Sequence, residues 1–99
     1  MNIQNRPQPE TDAERAAFAL GQAIGRAQTQ PGSTFTGAFP AFATCGLDLK
    51  FRAYFIDGFL SVMPKGGVVT DRENIVRDWE TGKIVRIEGV GPYADKWRL

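Results

Sequence analysis

Ninety-nine residues, 42% of them hydrophobic and including seven Phe, two Trp and two Tyr, suffice for one hydrophobic core and not for two. Twelve Lys plus Arg against eleven Asp plus Glu leave a net charge of +1, which excludes the bulk-charge signatures of a nucleic-acid coat or an acidic DNA mimic. With no His and a single Cys, the chain lacks the residues for a zinc site, for Ser-His or Cys-His catalysis, and for an internal disulfide.

Residues 1–10 are polar and hold two prolines, and they have too few apolar side chains to offset the entropy of ordering, so they read as a flexible arm ahead of a single α+β domain over 11–99. The arm lacks the basic start and apolar run of an export signal, and the lone Cys45 reads as a packed thiol. A cytoplasmic, reducing setting is the expectation.

Thr11-Asp12-Ala13-Glu14 matches a capping box, in which the threonine oxygen takes a helix N–H and the glutamate reaches back to the cap. Ala13, Ala16, Ala17, Leu20, Ala23, Ile24 and Ala27 recur at helical spacing, which predicts a helix over roughly 12–29 with this stripe facing the core. Gly21 and Gly25 weaken such a helix, and close approach of another backbone is the reason to expect them there. Pro31-Gly32 ends it.

No charged residue occurs from Ala27 through Leu47, so this stretch must be sheltered or sticky. Phe35, Phe39 and Phe42 lie within it, and Pro40 forbids a regular central strand there, leaving an edge strand or a packed loop. Leu47, Leu49, Phe51, Ala53 and Phe55 then alternate with Asp48, Lys50, Arg52 and Tyr54, the period of a half-buried strand. Asp57-Gly58 has the form of a two-residue hairpin turn leading into Phe59–Met63, which would pair Phe55 with Leu60, Ala53 with Val62 and Arg52 with Met63.

Pro64-Lys65-Gly66-Gly67 reads as a turn, lacking the residue order of a phosphate-binding loop, and Val68-Val69-Thr70 as extended chain. For residues 71–81 two readings compete. Thr70-Asp71-Arg72-Glu73 could cap a short helix, whereas Glu80-Thr81-Gly82-Lys83 resembles a hairpin loop joining Asn74–Trp79 to Lys83–Val90. The hairpin is favoured, with Ile75, Trp79, Val85 and Ile87 on one face and Arg77 as the diagnostic residue. Gly89-Val90-Gly91-Pro92 breaks the last strand, and Tyr93 and Trp97 at i, i+4 spacing would form a closing turn over the sheet.

The expected architecture is α+β, an N-terminal helix packed on an antiparallel sheet of four to five strands built from hairpins. Asp71, Glu73, Asp78, Glu80 and Glu88 carry no catalytic spacing and read as solvated partners of neighbouring cations. The chain is therefore expected to be no enzyme and to need no cofactor or metal. Its general character, small and without catalytic residues, is that of accessory or inhibitor proteins of phages, plasmids and other mobile elements, although no family motif supports the analogy.

The leading functional expectation is a protein-interaction module that binds another protein, or itself as a homodimer, through an exposed sheet face or an unpaired edge strand, with no membrane partner. The alternative is a nucleic-acid-binding domain using a basic and aromatic sheet face. The candidate binding residues are Lys50, Arg52, Tyr54, Met63, Arg77, Lys83 and Arg86, and the first four depend on the strand alternation between 47 and 63.

Overall fold

The computed structural model describes residues 8–70 and 74–88. Helix α1 (Asp12–Gln28) begins at the expected capping box. Thr11 Oγ1 accepts from the Glu14 N–H at 3.1 Å, and Glu14 Oε1 accepts from the N–H groups of Thr11 at 3.1 Å and Glu10 at 2.9 Å. The buried face of α1 is a row of small residues one turn apart, Ala17, Gly21 and Gly25. Leu20 and Ile24 are half-buried beside this row, while Ala13, Ala16, Ala23 and Ala27 face solvent. The stripe expected from the sequence is therefore rotated toward the glycines.

What the row meets is a helix rather than a sheet. Helix α3 (Arg52–Ser61), entered through a 3₁₀ turn at Leu49–Phe51, runs parallel to α1. Ascending contacts fix that direction: Phe18 faces Gly58, Gln22 Nε2 donates to Ser61 Oγ at 3.3 Å, and Gly25 faces Val62 and Met63. A Cβ on Gly21 would overlap the Phe55 carbonyl oxygen, and one on Gly58 would overlap that of Phe18, so each helix presses backbone against backbone.

The strand and hairpin expected over 47–63 are thus replaced by helix. The physical reason is that Phe51, Phe55, Ile56, Phe59, Leu60 and Met63 also form an apolar face at helical spacing. Phe55 and Phe59 are fully buried in the helical arrangement, whereas Leu49, expected on the inner face of a strand, is 73% exposed. Asp57-Gly58 is no turn. It lies within α3, where the missing side chain of Gly58 admits α1.

Helix α2 (Ala38–Cys45) occupies the aromatic segment expected to be an edge strand or loop. Pro40 is the third residue of its first turn, where a missing N–H removes no intrahelical bond. Gly46 at φ 80° ends it. Phe35, Phe39 and Phe42 are half-buried against the cluster of Ala38, Ala41, Phe55, Ile56 and Phe59. The Phe42 and Phe55 rings meet edge-on at 5.6 Å, and those of Phe35 and Phe59 tilt at 5.9 Å.

The helices pack against a three-stranded antiparallel sheet in the order β1 (Val68–Thr70), β2 (Ile75–Asp78), β3 (Ile84–Ile87). The architecture is α+β, but with three strands among the described residues instead of four to five, because 47–63 contributes none. For residues 74–87 the hairpin reading holds. Gly82 takes φ 74° in the loop, the Asp78 N–H donates to the Lys83 carbonyl at 2.9 Å, and the Gly82 N–H donates to Asp78 O at 2.9 Å.

The register of that hairpin differs from expectation at one place. Val76 pairs with Arg86 and Arg77 with Ile84, so Val85 is the extra residue of a bulge. Val76 is consequently buried and Val85 is half-exposed, the reverse of the expected inner face. Residues 1–7 of the arm expected over 1–10, residues 71–73 of the capping-box pattern at Thr70–Glu73, the Gly89–Pro92 break and the Tyr93–Trp97 turn lie outside the described residues.

The hairpin also completes α2. The Ala38 and Phe39 N–H groups, which have no side-chain cap, donate to the carbonyls of Trp79 and Glu80, both at 2.8 Å. Gly37 and Gly82 meet back to back at this joint, and a Cβ on Gly82 would overlap the Thr36 carbonyl.

Candidate interaction surface

Helix formation over 52–61 removes the sheet row on which Lys50, Arg52, Tyr54 and Met63 were expected to act together. Lys50 and Arg52 are exposed at the entrance to α3, each over an aromatic ring: Lys50 Nζ lies 5.2 Å from the centre of Phe51, and Arg52 Cζ 4.7 Å from that of Phe39. Tyr54 lies close enough to α1 for its phenol to sense the Glu14 carboxylate. Desolvation first, and then the influence of the neighbouring Glu14 carboxylate, hold the Tyr54 phenol above its usual range. Backbone N–H donation from Glu10 and Thr11 holds the Glu14 carboxyl below the usual glutamate range. Met63 is half-buried against the core near Gly25, so it offers no interaction row opposite Arg52.

Arg77, Lys83 and Arg86 belong to the sheet layer. Arg77 is half-buried, with Nη1 donating to the Gly82 carbonyl at 3.1 Å. Lys83 is exposed where the hairpin loop enters β3. Arg86 is exposed and pairs through Nε with Glu88 Oε2 at 3.1 Å. The Asp78 carboxylate secures the loop between them, accepting from Glu80 N at 2.8 Å and Thr81 N at 2.9 Å. The Thr81 N–H is the main cause holding the Asp78 carboxyl below the usual aspartate range.

Between Lys83 and Arg86 stand the residues that sequence reasoning did not select. Ile84 is 49% exposed and Val85 51% exposed, on the outer strand of the sheet among the described residues. Strict alternation would turn only one of two neighbours outward, and the Val85 bulge is what leaves both half-exposed. The bulge has no sequence signature, which is why this apolar pair was not legible.

A second feature opens between the layers. A cavity of about 640 Å³ lies between the α1–α2 connection, from Gln28 to Phe35, and the sheet residues Val69, Thr70, Ile75 and Arg77. Its signal in the sequence was the uncharged run beginning at Ala27, read there only as sheltered or sticky. Among the described residues no group of three or more His, Cys, Asp or Glu could hold a metal ion, and no helix is long and apolar enough to cross a membrane.

Comparison of the chain with family models, with curated proteins and with solved structures gives no match in any of the three. The class that the fold defines is a small α+β protein in which a glycine-seamed pair of parallel helices and a third, short helix pack against a three-stranded antiparallel sheet.

Proposed function

We propose that this chain is a non-enzymatic interaction module that engages a partner protein through β3, an outer strand of the sheet among the described residues. The supporting observation is the adjacent exposed pair Ile84 and Val85. Single exposed aliphatic residues are ordinary, but two in succession on an outer strand form a compact apolar contact of the kind found at interface centres. Lys83 and Arg86 flank it with cations, so the complementary surface is an apolar notch with an acidic rim. The bulge at Val85 interrupts the strand edge, favouring side-chain docking over continuous strand addition.

The experiment compares the wild-type protein with the Ile84→Asp/Val85→Asp variant by chemical cross-linking in the native host and by sedimentation at rising concentration. Loss of cross-linked partner, or of a self-associated species, with an unchanged circular dichroism spectrum is the expected result. Identical cross-links and sedimentation in both proteins would remove β3 as the interface. Cross-linked nucleic acid whose yield falls steeply with salt would favour phosphate contacts by the exposed cations instead.

A further inference from the structure

We propose that the cavity between the α1–α2 connection and the sheet binds a small organic carboxylate with an apolar or aromatic body. At about 640 Å³ it has the size of small-molecule sites. Its wall is held in place before any ligand arrives. The Gln28 side chain clasps the far end of the connection, donating from Nε2 to Thr36 Oγ1 at 2.7 Å and accepting through Oε1 from the N–H groups of Thr36 at 3.0 Å and Gly37 at 3.2 Å. The Ser33 N–H donates to Gln30 O at 3.0 Å and closes the turn between.

The chemistry of the lining selects the ligand. Arg77 supplies the one formal charge among the described lining residues, and Val69, its cross-strand partner, lies beside it. One guanidinium nitrogen is engaged by Gly82 O, which orients the group and leaves Nη2 and Nε to donate. Phe35, Pro64, Val69 and Ile75 provide apolar wall, and the hydroxyls of Ser33, Thr34 and Thr70 add neutral polar groups. The carbonyls at the end of α1 do not oppose an anion strongly, because Thr29 Oγ1 already donates to Gly25 O and Arg26 O, and Gln30 Nε2 also donates to Arg26 O.

The test titrates the full chain with 4-phenylbutyrate and, separately, with its neutral amide, following backbone N–H resonances by NMR. The carboxylate is expected to shift the resonances of Thr34, Val69 and Arg77, and the amide to bind at least about tenfold more weakly, the factor expected for losing a charged hydrogen bond. Arg77→Gln should abolish the difference between the two probes. Thr34→Trp, at an exposed position of the lining, should block both probes while leaving Arg77 and its Gly82 bond in place. The proposal is overturned if neither probe shifts these resonances up to about 10 mM, a concentration that would reveal even weak binding. Equal binding of acid and amide to the wild-type protein overturns it as well, whatever the fate of the Arg77 variant.

Discussion

Gly21→Ala sets two physical effects of opposite sign against each other. In an isolated helix the change would stabilise by about 1 kcal/mol, because alanine loses less backbone freedom on folding. In this fold the new Cβ would overlap the Phe55 carbonyl oxygen and stand 2.9 Å from both the Phe55 carbonyl carbon and the Phe59 nitrogen. Ordinary contact begins near 3.4 Å, and the overlap with the carbonyl oxygen is the deepest of the three, so α1 and α3 would have to part by more than about an ångström along their shared seam. None of the three atoms is a side-chain end that could swing aside. Overpacking of this kind costs about 1–3 kcal/mol and sometimes more, and here it falls on backbone. A net loss of about 2 kcal/mol is expected, which at about 4–8 °C per kcal/mol lowers the melting temperature by about 8–16 °C. Thermal unfolding followed by circular dichroism measures it. Ala16→Gly, on the exposed face of the same helix, calibrates the propensity contribution alone at about 1 kcal/mol. A Gly21→Ala protein that melts higher than wild type would refute the backbone-to-backbone seam.

Further outcomes follow from the same geometry. Gly82→Ala should destabilise by more than about 1 kcal/mol, since φ is 74° and the Cβ would overlap Thr36 O; chemical denaturation reads the shift in midpoint. Thr11→Ala should cost about 1 kcal/mol through loss of the α1 cap, visible as a lower melting temperature. Glu14 and Asp78 have depressed carboxyl pKa values in the fold, so their stabilisation is present above the unfolded-state values and is lost as pH falls through the folded ones. Stability should accordingly begin to fall as pH drops into the ordinary carboxylate range and keep falling through the lower folded-state values, and Glu14→Gln should flatten that limb of the stability profile; an unchanged limb would show the cap to be energetically silent. Arg52→Ala should cost about 0.5–1 kcal/mol by removing the cation from the Phe39 ring, measured by denaturant titration.

Local chemistry was readable where neighbours in sequence complete one another. The Thr11–Glu14 box and the left-handed Gly82 are satisfied within a few residues, so α1 and the β2–β3 hairpin could be placed from the sequence. Gly21 and Gly25 announced a close backbone, though not that a parallel helix would supply it. The segment 47–63 misled because Leu47 to Phe55 fits a period of two, while the helical face extends through Ile56, Phe59 and Met63 beyond the supposed turn. A glycine after aspartate favours a hairpin locally, yet Gly58 is used for what it omits, a side chain against Phe18. Of the expected binding residues, Lys83 and Arg86 remain beside the proposed surface, and Arg77 contributes to the cavity instead. The bulge that exposes Ile84 with Val85 depends on pairing between strands, and no single segment encodes it.

The joint between hairpin loop and α2 makes one element conditional on another. Eight residues without a side-chain cap are too few to persist as a helix in water, so α2 borrows its first hydrogen-bond acceptors from Trp79 and Glu80, far along the chain. Whenever the loop lifts away, the Ala38 and Phe39 amides lose both acceptors at once. Deuterium uptake at those two positions would then track the opening of a hairpin some forty residues downstream, and ligands or partners that steady the sheet would slow exchange in a helix they never touch.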